Sequence, residues 1–159
     1  MEIIRFGRWE LSCDPEATRK AHAALTIGGP EECGCETCLN FIAARDQVYA
    51  SDVLALLQKM GISPNREVEV VHMARLDSHR HLYSGWFHFV GSIISGSDVD
   101  RQDTANGAAF EWEEIGKDFR LGFRSKAELV RQPFTGLPLA QLEFTVEVPW
   151  VVTTTEPER

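Results

Sequence analysis

No apolar run in this chain approaches the ~20 residues a membrane-spanning helix needs. Its opening, Met1-Glu2-Ile3-Ile4-Arg5, lacks the apolar stretch of a secretory signal. A cytoplasmic protein is the expectation, and in that compartment thiols stay reduced unless they react or hold a metal. Basic residues are scarce. Sixteen Lys and Arg face 24 Asp and Glu, for a net charge of −8, which repels phosphate backbones and anionic lipid. Neither nucleic acid nor a membrane is the expected partner, which leaves another protein or a small molecule. There is no phosphate loop, dinucleotide fingerprint, nucleophile elbow, HExxH pair or internal repeat.

Cysteine is also sparse, with four in 159 residues, but three of the four fall within six positions, Cys33-Gly34-Cys35-Glu36-Thr37-Cys38. Thiolates this close repel one another unless they share a cation or become oxidised. The C-x-C and C-x-x-C spacings let one turn aim several sulfurs at a single point, as tetrahedral zinc requires. The expected cofactor is zinc, held by Cys33, Cys35 and Cys38. His88 is the favoured fourth ligand, and His72, His22 and Cys13 are the alternatives. A dithiol reading of Cys35-Glu36-Thr37-Cys38 competes, since a following helix would lower a thiol pKa. Against it stand Glu31, Glu32 and Glu36 and the lack of a surrounding βαβ unit.

At this length the chain forms about one domain, able to bury roughly 70% of its unfolded surface, so a metal site would be local and not the source of the fold. Residues 1–150 are expected to form that domain and 151–159 a frayed tail. Glu2 to Leu11 reads as one strand. Asp14-Pro15 opens a helix that Gly28-Gly29-Pro30 ends. A second helix runs from about Cys38 to Tyr49, and a third is capped by Ser51 and stopped by Gly61.

Beyond Pro64 the period turns to two. Val68, Val70, His72 and Ala74 share a strand face. Leu82 to Ile94 forms a long aromatic strand, and Ser95 to Gly107 a polar loop. Phe110 to Ile115 and Phe119 to Phe123 flank a two-residue Gly116-Lys117 hairpin. Ala140, Leu142, Phe144, Val146 and Val148 alternate with polar residues in the last strand. Helices early and strands late predict an α+β fold, an antiparallel sheet of five to six strands with about three N-terminal helices.

Gly85-Trp86-Phe87-His88-Phe89-Val90-Gly91 puts Trp86 and His88 on one strand face, as core residues or as the wall of a pocket. His79 and His81 read as a solvated turn. Asp98 to Asp103 lacks the glycine and glutamate of a calcium loop. Phe119 to Arg124 is better explained by alternation than by RNA binding.

Together, the cysteine turn through Asn40-Phe41, the Gly85 to Gly91 strand, and Gln141-Leu142-Glu143-Phe144 with Val148-Pro149-Trp150 resemble a family of small bacterial proteins of unknown function. The resemblance spans most of the chain and implies neither activity nor cofactor. Two functions follow from the residues. One is a binding or interaction module with a zinc-pinned turn; the other is a metal- or thiol-dependent enzyme using Cys38 or an open metal position near His88.

Overall fold

The computed structural model describes residues 1–103 and 107–158. Strands β1 (Glu2–Phe6) and β2 (Trp9–Cys13) lead into helices α1 (Pro15–Ala23), α2 (Gly29–Cys33), α3 (Glu36–Ala43) and α4 (Ser51–Met60). Then follow β3 (Glu69–Arg75), β4 (His81–Ser95), β5 (Asp100–Asp103), β6 (Gly107–Phe110), β7 (Glu113–Glu114), β8 (Phe119–Arg124) and β9 (Leu139–Val148). The α+β class is as expected. Seven strands form one antiparallel sheet, ordered β1-β2-β4-β9-β8-β7 with β3 also on β4, while β5 and β6 make a separate ribbon.

Several expected boundaries move. The first strand is a hairpin, because the chain reverses at Gly7, whose φ of 54° is a left-handed value that glycine adopts without strain. Gly28-Gly29-Pro30 opens a helix where it was expected to end one: Gly28 is the N-cap of α2, with proline in its first turn. The expected second helix is shorter, since α3 stops at Ala43 and gives way to a 3-10 turn at Arg45–Gln47. Ser51 is the first residue of α4, after an Ala50 N-cap. The Gly116-Lys117 turn takes in Asp118, which shares its positive φ with Gly116. The expected polar loop contains β5, and its residues 104–106 lie outside the described ones.

Strand β4 organises the domain. Along one edge it pairs with β9 over residues 81–90; along the other it pairs with β3 up to Trp86 and with β2 from Gly91. The gap on that second edge would leave buried backbone groups without partners. Helix α1 fills it. Asp14 N–H donates to Val90 O at 2.9 Å, Val90 N–H donates to Thr18 Oγ1 at 2.9 Å, and His22 Nε2 donates to His88 O at 2.9 Å.

One sheet face carries Phe87, Phe119, Leu121, Phe123, Leu142 and Phe144 into the main core. Helix α3 contributes Phe41 and α4 contributes Val53 and Leu57, with Tyr49 between them. Phe144 sits among the rings of Phe41, Tyr49, Phe87 and Phe119 at centroid distances of 5.4–6.4 Å. The other face carries Trp86, His88, Gln141 and Glu143 in cross-strand register.

Candidate metal centre

Three elements build the cysteine turn. Cys33 is the last residue of α2. Gly34 follows in a left-handed conformation, φ 67°, and its N–H bonds Pro30 O at 3.0 Å to close that helix. Cys35 is then the N-cap of α3, and Cys38 lies in its first turn. A C-x-C pair can thus end one helix and begin the next, with the glycine supplying the reversal between them. The three sulfurs all lie within 4.8 Å of one another. Cys33 and Cys35 are exposed and Cys38 is buried.

The turn is clamped on two sides. Arg45, just past α3, bonds both Glu31 of α2, at 2.9 and 3.2 Å, and Glu67, at 2.8 and 3.2 Å. Glu67 is only 1% exposed and also accepts from Tyr49 Oη at 2.7 Å. Burial raises its pKa, opposed by the guanidinium and the phenol. On the other side Tyr83 Oη donates to Thr37 O at 2.8 Å, and Asn40 Nδ2 donates to Tyr83 Oη and to Pro149 O.

The thiols differ electrostatically. The Thr37 hydroxyl, 3.3 Å from Cys35 Sγ, is the main cause lowering that thiol to about 7, helped by the Cys38 backbone N–H and the neighbouring thiols. Burial pushes the Cys38 thiol far up, and the adjacent thiols add to that rise. Cys13 stands apart. It is fully buried, its Sγ points at Met60 O at 3.6 Å, and burial raises its pKa to about 11.

Among the described residues, the metal-capable group consists of Cys33, Cys35 and Cys38; the structure does not bring His88 into it. The ring of His88 is 1% exposed, and its Nε2 donates to Glu128 O at 2.9 Å, which leaves no lone pair on that nitrogen. It borders a small cavity of about 30 Å³ with Phe134, and Trp86 is not part of that lining. His22 uses both ring nitrogens, on His88 O and Ser63 N–H.

The expected solvated histidine turn holds for only one of its two histidines. His79 is exposed in the turn, but His81 belongs to β4 and is fully buried. His72 Nε2 lies 2.8 Å from His81 Nδ1, and His81 Nε2 lies 2.7 Å from Glu156. Glu156 comes from the segment read as a frayed tail, and it also pairs with Arg75 at 3.3 Å.

Beside the cysteine turn runs a groove of about 490 Å³. Glu32 and Cys33 line it together with residues 68–70 and residues 129–131, and an Arg131–Glu32 ion pair joins α2 to the last of these segments. No family model matches the chain, and no curated protein or solved structure is significantly similar to it. No helix among the described residues is long and apolar enough to cross a membrane.

Proposed function

We propose that this is a zinc-binding protein whose metal is held by the thiolates of Cys33, Cys35 and Cys38, with one coordination position left for a ligand from outside the chain. The observation that carries the reading is the approach of three sulfurs to within 4.8 Å of one another. Sulfur donors suit zinc, and neighbouring thiolates lose their mutual repulsion when they share a cation. A purely structural zinc is normally closed by four protein ligands, whereas three protein ligands and an open position mark a working site. Two further features support an outward-facing role. None of the three cysteines belongs to the main buried apolar cluster, and Cys33 borders the groove.

The module reading has the ligand supplied by a protein or small molecule lodged in the groove. The enzymatic alternative has water in that position, and it is favoured by the carboxylates of Glu32 and Glu69 along the same groove. Cobalt substitution tests the coordination. Co(II)-loaded protein should show thiolate charge-transfer and tetrahedral d–d absorption, and added imidazole should shift the d–d bands by entering the open position. A tetrahedral spectrum indifferent to imidazole means a closed site. An octahedral spectrum without thiolate bands removes the three-cysteine centre.

A further inference from the structure

We propose that the cysteine turn is also an oxidation site, at which a hydroperoxide converts Cys35 and Cys38 to a disulfide. The accompanying release of zinc rests on the metal reading above; the disulfide itself does not.

Cys35 is exposed, whereas Cys38 is buried beneath the turn. Cys35 belongs to a cluster whose three sulfurs all lie within 4.8 Å of one another, and it faces Cys38 across the first turn of α3, from the N-cap to the third helical residue. Closing a disulfide from a sulfur separation within 4.8 Å requires a small approach, to about 2.0 Å. Side-chain rotation can supply most of it, and Cys35, at the N-cap, has extended rather than helical backbone dihedrals although its carbonyl accepts the first bond of α3 from Leu39 N–H. Gly34 beside it has open space at its Cβ position, with nothing within 4 Å.

Two chemical steps balance. The Cys35 sulfur attacks the terminal oxygen of the hydroperoxide. The O–O bond breaks, a sulfenic acid forms on Cys35, and the leaving oxygen departs as alcohol, or as water when the oxidant is hydrogen peroxide. The Cys38 sulfur then attacks the Cys35 sulfur. The S–OH bond breaks, and hydroxide leaves with the Cys38 proton as water. The two thiols lose two electrons and two protons in total, and the peroxide is reduced. Cys33 remains a thiol. A zinc held by the three thiolates would be left with Cys33 alone, so the disulfide would couple peroxide exposure to metal release. Cys13, sealed behind Met60 O, is the internal control.

The experiment uses the full chain in zinc-loaded and metal-free forms, treated anaerobically with one equivalent of hydrogen peroxide. Mass spectrometry should record a loss of about 2 Da, and peptide mapping should place the bond between Cys35 and Cys38. Free thiols should fall from the four of the sequence to two, and a chromophoric chelator should register zinc leaving the loaded sample. C33S should retain the bond, whereas C35S and C38S, each lacking one of its two sulfurs, should lower the yield of any intramolecular disulfide at least about tenfold. A bond between Cys33 and Cys35, sulfinic acid in place of a disulfide, or four unreacted thiols overturns the proposal. Zinc retained with no disulfide formed would leave the metal reading standing. A disulfide in protein that never holds zinc sinks the metal reading and sustains the oxidation site.

Discussion

His72 and His81, nine positions apart on neighbouring strands, share a hydrogen bond of 2.8 Å between His72 Nε2 and His81 Nδ1. Glu156 fixes its direction. The carboxylate accepts from His81 Nε2–H, and that bond is the main cause holding Glu156 below the usual carboxylate range. A neutral His81 protonated at Nε2 has a bare Nδ1, so His72 must donate from its own Nε2. In that neutral pair both rings are Nε2–H tautomers. Long-range proton–nitrogen NMR correlation reads this directly, and Glu156→Gln should turn the fixed pattern into a mixture, because an amide can donate as well as accept. A His81 protonated at Nδ1 in the native chain would contradict the assignment.

Proton uptake should destabilise the fold through three histidines. Burial lowers the pKa of His22 and His88 from the ordinary 6.5; burial and then the nearby His81 do the same for His72. The unfolded chain binds these protons first, so the contribution is intact above about pH 6.5 and is lost as pH falls toward the folded values. At His22 burial is joined by a geometric conflict, since a proton on Nδ1 would face the Ser63 N–H that now donates to it. Glu67 and Glu143, raised by burial, act with the opposite sign. Urea midpoints between pH 7.5 and 5 should fall in the native chain and fall less in His22→Gln. A native midpoint that rises over this range would contradict the account.

Removing Arg45 should cost more than neutralising its buried partner. Arg45→Met strands the Glu67 carboxylate, for a loss of about 3–5 kcal/mol. Glu67→Gln keeps a partner for Tyr49 Oη and should lose less. Denaturant titration of both variants ranks them, and equal losses would show that the buried charge is not what Arg45 compensates.

Zinc removal should loosen the turn and spare the sheet. The aromatic core around Phe144 contains none of the three clustered cysteines. Hydrogen exchange after chelation should rise across residues 33–40 and stay unchanged in β4 and β9. Loss of far-ultraviolet dichroism on adding chelator would mean the metal holds the whole fold.

The legible features were the local ones. Alternation along β9 and the amphipathic α4 reveal core faces because each pattern lies within a single element. The cysteine turn was legible for the same reason, with successive donors two and three residues apart. Contacts between distant segments were not. His81 looked solvated beside Ser78 and His79, and its burial depends on His72 from another strand and on Glu156, 75 positions away. Arg45 and Glu67 carry no local signal, because their pairing exists only once α3 packs against the start of β3. His88 failed as a ligand candidate for a related reason. Its ring was an isolated polar group on an apolar strand, and the acceptor that occupies it is a backbone carbonyl, Glu128 O, which no residue type announces.

The most direct test is elemental analysis of protein purified without chelator. The account predicts about one zinc per chain, sharply reduced by serine at Cys33, Cys35 or Cys38 and retained in His88→Gln. Metal-free protein in which all three of these thiols titrate freely would contradict it.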